Sequence, residues 1–192
     1  MHYKPTVKGN RWETATTSNN NNGGIHDQEA FRSGVAMIEA AINEWSSPIL
    51  THVILTKGTI LDYDGFINRV KRYLAGTKYS FKGCTEEDGP DSKKGCHRHY
   101  MWIVDLDDSS NNPFDLDDDT SAISRALTAT RRTAPEFEVT VAQPRRHDTP
   151  YIPLTPYSLQ DAADYFSYIV KQRSKQACHR YISSRVQRNV QQ

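Results

Sequence analysis

Cysteine is scarce in this chain, and the three present are an odd number, so no disulfide framework is expected. Nothing resembles a secretory leader or a long apolar run. No membrane partner is therefore expected, and a reducing cytoplasm is the expected setting. Bulk charge is missing too. A formal net charge of +1 over 192 residues does not announce a nucleic-acid binder. No Gly-x-x-x-x-Gly-Lys-Ser occurs, which excludes a P-loop motor. The length suits one domain with a proper core rather than two.

What is present is unevenly placed. Seven aspartates and no basic residue lie between Asp105 and Asp119, whereas six Lys or Arg and no acid lie from Lys171 onwards. Lys171 aside, the basic residues are Arg173, Lys175, Arg180, Arg185 and Arg188, which could follow a phosphate backbone or form a solvated helix face. Residues 1–24, with Asn19 to Asn22 and Gly23-Gly24, are low in complexity and are expected to be disordered. Residues 25–192 are expected to form the single domain.

Within that domain the run Cys96-His97-Arg98-His99-Tyr100-Met101-Trp102-Ile103-Val104 reads as a strand, because β-branched and aromatic residues crowd it. Alternation puts His97 and His99 on one face, where two neutral imidazoles can grip a divalent metal ion. A zinc site from Cys84, Cys96 and His97 is a second possibility, but the spacing matches no familiar pattern.

Around that strand the periodicity predicts a helix from Asp27 to Trp45, a strand from Leu50 to Leu55, and a helix capped by Asp62 or Asp64 that ends at Leu74. Tyr79 to Thr85 reads as a strand, ending in Glu86-Glu87 and forming a long-looped hairpin with the histidine strand. A helix over 120–131 with an aspartate cap follows, then an alternating strand bearing Phe137, Val139 and Val141. Four prolines in 144–156 predict an extended surface loop. A helix starting at Ser158 and carrying Tyr168 and Lys171, and a basic helix from Ser174, close the chain.

A helix followed by β-α-β-β-α-β is the order of an α+β, ferredoxin-like or split βαβ domain. That means an antiparallel sheet with helices packed on one face and an extra N-terminal helix.

Three short stretches, Ile54-Leu55-Thr56, His97-Arg98-His99 and Tyr168-Ile169-Val170-Lys171, come in an order that resembles the HUH endonucleases that initiate rolling-circle replication. Tyr79 to Gly83 leading into Glu86-Glu87-Asp88-Gly89 resembles replication proteins of small circular single-stranded DNA viruses. The leading helix, the aromatic strand ending in Glu and the C-terminal Tyr-x-x-Lys are similar to those in replication proteins of filamentous phages and related prophages. The likeness covers about residues 50–175. One departure is Arg98, where the family usually has a hydrophobic residue. Arg98 is expected to point away from the metal face, towards solvent or DNA.

The resemblance implies an enzyme that nicks and rejoins single-stranded origin DNA. His97, His99 and a carboxylate from Glu86 or Glu87 would hold Mg²⁺ or Mn²⁺, and Tyr168 would form a 5′-phosphotyrosine with Lys171 stabilising its charge. It also implies a host helicase as partner and, for a phage-encoded protein, the cytoplasm of a bacterial host. Tyr165 is the rival nucleophile, but Tyr168 alone has the lysine at the family spacing. The alternative is a catalytically inactive relative that binds DNA as a regulator.

Overall fold

The computed structural model describes residues 28–87, 96–107, 111–170 and 182–183. In chain order its elements are α1 (Gln28–Glu44), β1 (Pro48–Thr56), α2 (Ile60–Tyr73), β2 (Tyr79–Glu87), β3 (Cys96–Asp105), α3 (Ala122–Arg131), β4 (Glu138–Ala142), β5 (Tyr151–Pro153) and α4 (Leu159–Ser167), then a 3₁₀ turn (Tyr168–Val170) and β6 (Ile182–Ser183).

The sheet runs β4-β1-β3-β2-β6, with every pairing antiparallel. β1 and β2 therefore point the same way with β3 between them, which is compatible with the split βαβ arrangement. β3 is central, and all its residues after Cys96 are buried. β2 and β3 form the expected hairpin, in register from Tyr79 opposite Val104 to Glu87 opposite Cys96.

Helices cover both faces of the sheet, not one. Phe66, Ile67 and Val70 of α2 and Ile123 and Ala126 of α3 pack on Val53, Leu55, Tyr100, Trp102 and Val104. On the other side, Phe31, Val35 and Ile38 of α1 and Phe166 of α4 pack with Ile169 and Val170 on Leu50, Met101 and Ile103. Period-2 alternation in β1 and β3 explains how one strand serves two cores. The α1–α4 contact is close: a Cβ at Gly34 would stand 2.0 Å from the Phe166 ring. Only glycine lets these helices approach so nearly.

Several expectations need correction. Thr59, not Asp62 or Asp64, caps α2; Asp62 is its reciprocal partner in a capping box. Ser121 rather than an aspartate caps α3. The proline-rich segment contains β5, which pairs with Ile49–Thr51 at the edge of β1 that β4 leaves open. The α-helix of α4 stops at Ser167, so Tyr168 belongs to a 3₁₀ turn. No basic helix can run through Ile182–Ser183, because these two residues form β6 against Lys82 and Gly83. The expected disordered stretch 1–24 lies outside the described residues.

Candidate metal centre

β3 projects His97 and His99 to the α1/α4 face, and β2 brings Glu86 opposite His97 in register. The Glu86 carboxylate reaches both rings. Its Oε2 is 3.3 Å from His97 Nε2 and 3.3 Å from His99 Nε2. One ligand atom from each of the three residues lies within 4.8 Å of the others. Neighbouring donors around an ion held at about 2.1 Å sit about 3 Å apart, so the set has the reach to share one cation. Glu86 and His97 are each 7 % exposed and His99 3 %. A buried carboxylate is costly without a compensating positive charge, and a divalent ion would supply one. Two imidazoles and one carboxylate suit Mn²⁺ well and Mg²⁺ less so, but do not name the metal.

Among the described side chains, Glu86 is the one of the acidic pair that joins the cluster. The side chain of Glu87 lies outside the described residues. Cys84 and Cys96, the cysteines among the described residues, are not part of the cluster. Cys84 is buried in the α1/α4 core, and Cys96 sits against the opposite core, one residue out of phase with His97.

Arg98 points away from the histidines, as alternation requires, but does not reach open solvent. It is 5 % exposed. Its Nε donates to Thr85 Oγ1 at 3.1 Å, and its Nη1 donates to Tyr100 Oη at 3.2 Å and to the half-exposed Asp64 carboxylate. Its guanidinium also lies 5.5 Å from the Tyr63 ring centroid. Arg98 is thus a buried, paired charge.

One residue of this face was not anticipated from the sequence. His52 of β1 shares the face of the cluster, and its Nε2 lies 2.9 Å from His99 Nδ1. Burial, reinforced by the neighbouring His99 and opposed by Glu86, pushes its pKa down to about 3, so the ring is neutral. A histidine inside the otherwise apolar run Pro48–Thr56 was the available signal. Its meaning depended on register: Ile54 faces His99 directly, and His52 meets it diagonally.

Tyr165 stands edge-on to His52, with centroids 5.6 Å apart. Its hydroxyl donates to the Ala142 carbonyl of β4 at 2.7 Å, and burial raises its pKa. β4 lies on the far side of β1 from the Glu86–His97–His99 cluster. Both features count against Tyr165 as a nucleophile.

The 3₁₀ turn that contains Tyr168 packs against β2 and β3, anchored by buried Ile169 and Val170. The Tyr168 side chain is outside the described residues, as are Lys171, Arg173, Lys175, Arg180, Arg185 and Arg188. Ile54 of the first short stretch is the direct neighbour of His99. The 168–170 turn thus packs on the two strands that carry Glu86, His97 and His99, and β1 with Ile54 lies beside them. Among the described residues, no helix is long and apolar enough to cross a membrane. Comparison with family models, with curated proteins and with solved structures found no match for this chain.

Proposed function

We propose that this protein is a metal-dependent nickase that cuts and rejoins single-stranded DNA through Tyr168, as an initiator of rolling-circle replication. The observation that carries this proposal is the buried Glu86–His97–His99 cluster on β2 and β3, the two strands against which the turn bearing Tyr168 packs. A cation bound there would neutralise charge on the non-bridging oxygens of the scissile phosphate.

The chain's own groups do the remaining work. Glu86, His97 and His99 carry their donor atoms on two paired strands, which limits the rearrangement needed when the phosphate arrives. The Tyr168 hydroxyl loses its proton to solvent and forms a new O–P bond. The bond from phosphorus to the 3′ oxygen breaks, and that oxygen leaves as a protonated 3′-hydroxyl. The 5′-phosphotyrosine keeps the phosphoester, so a later 3′-hydroxyl can reverse the step and close a circle. Lys171, three residues on, would favour the phenolate and the charged transition state. The basic residues from Arg173 to Arg188 would grip the backbone of origin DNA, and a host helicase would supply unwinding.

The test uses the full chain with Mn²⁺ and a library of single-stranded oligonucleotides of randomised sequence. A protein–DNA adduct that survives denaturation, maps to Tyr168 and disappears in Tyr168→Phe and in excess chelator is the expected result. Absence of any adduct, or one that persists in Tyr168→Phe, would overturn the proposal.

A further inference from the structure

The contact between His52 and His99 has a chemical consequence for the cluster. Only one proton can lie between His99 Nδ1 and His52 Nε2, 2.9 Å apart. Either His99 donates it, leaving the Nε2 lone pair free to face Glu86 and His97, or His52 donates it and the His99 proton moves to Nε2. Only the first arrangement leaves His99 able to ligate through the nitrogen that lies 3.3 Å from Glu86 Oε2.

We propose that His52 is a positioning residue that accepts the Nδ1 proton of His99 and so presents its Nε2 lone pair to a cation held by Glu86 and His97. This rests on the metal-binding part of the preceding reading and is independent of the nicking step.

The surroundings suit the role. His52 sits on β1, whose ladder with β3 is continuous from Pro48 to Leu55, so its height relative to His99 is fixed by backbone hydrogen bonds. Its ring is 3 % exposed, and its centroid lies 5.1 Å from that of His99. Tyr165, tethered through its hydroxyl to Ala142, closes on the ring edge-on. His52 is thus held between α4 and His99 with little rotational freedom. A buried acceptor behind a metal-ligating imidazole commonly changes metal affinity by 10- to 100-fold.

The experiment has two arms on the full chain. In the first, Mn²⁺ affinity is measured by calorimetry for the native protein, for His52→Phe, which fills the space without an acceptor, and for His52→Gln, whose amide oxygen can take the place of Nε2. The expected result is a weakening of about 10- to 100-fold in His52→Phe and recovery of most of that loss in His52→Gln. A space-filling role would not favour the glutamine. In the second arm, ¹⁵N NMR of the Mg²⁺-loaded native protein, with Zn²⁺ as a second diamagnetic probe, reads the tautomers directly. Both His99 and His52 should carry their protons on Nδ1.

Equal Mn²⁺ affinity in all three proteins, or a His52 proton on Nε2, would overturn the positioning role while leaving the metal site standing. No binding by the native protein would remove the metal site, and this inference with it.

Discussion

Alternate residues of β3 live in two different chemistries. His97 and His99 face α1 and α4; Arg98 and Tyr100 face α2 and α3. All four are buried, at 7 % exposure or less. On one face the Arg98 guanidinium is directed wholly at protein groups, namely Thr85, Tyr100, Asp64 and the Tyr63 ring. On the other, three donor atoms from two strands lie within 4.8 Å of one another, with His52 behind His99. Burial alone does not separate a structural polar group from a functional one. The separation lies in whether its partners disperse into the fold or converge on a common centre.

Removing a residue from each face is the strongest way to break this comparison. His97→Ala should abolish cleavage and cation binding. It should cost comparatively little stability, because the cluster loses a donor rather than a packing element. Arg98→Met should do the reverse, leaving Mn²⁺ affinity close to native. Thr85, Tyr100 and Asp64 would lose their shared donor, and unfolding in urea should reveal a loss of about 2–3 kcal/mol. If Arg98→Met abolished cation binding while the protein stayed folded, the two faces would not be independent.

A smaller effect is expected at Asp105, at the end of β3 remote from the cluster. Burial would raise its pKa, but the N–H groups of Ser47 and Ser46 and the Lys78 ammonium outweigh it and hold the value below 3.8. A depressed carboxylate stabilises the fold above pH 3.8, and that contribution fades as pH falls towards the lower native value. Asp105→Asn should therefore cost about 1–2 kcal/mol at neutral pH, with the gap to the native protein narrowing below pH 3.8. Thermal unfolding followed across pH checks both the size and the direction. A gap that widened on acidification would refute the assignment.

The smallest effect belongs to Tyr165. Replacing it with phenylalanine removes one hydrogen bond to the Ala142 carbonyl, worth about 1 kcal/mol, and keeps the ring edge against His52. Cleavage should change only a few-fold. Loss of the covalent adduct in Tyr165→Phe would make that tyrosine the nucleophile.

Much of this was legible in the chain because local pattern and fold agree. β-branched and aromatic residues mark β3, and the stripe Phe31, Val35, Ile38 marks α1. The shared face of His97 and His99 follows from alternation. Glu86 joins them because the hairpin register sets it opposite His97. What was not legible depends on tertiary placement. β5 forms in a proline-rich segment because an edge of β1 is open there. The turn at Tyr168 ends α4 with Ile169 and Val170 both buried, which a one-sided helix stripe does not anticipate. The second helical layer and the placement of His52 beside His99 needed the sheet to be assembled first. Thr59 was a simpler miss: Thr59-Ile60-Leu61-Asp62 carries the capping-box spacing openly, and the nearby aspartates drew attention from it.

The histidine face of β3 is proposed to bind a divalent cation through Glu86, His97 and His99. Titration of the metal-free full chain with Mn²⁺, followed by electron paramagnetic resonance, tests it most directly. One ion per chain is predicted, with binding lost in His97→Ala, His99→Ala and Glu86→Ala and retained in Arg98→Met. Absence of stoichiometric binding by the native protein, or binding indifferent to all three ligand substitutions, would contradict it.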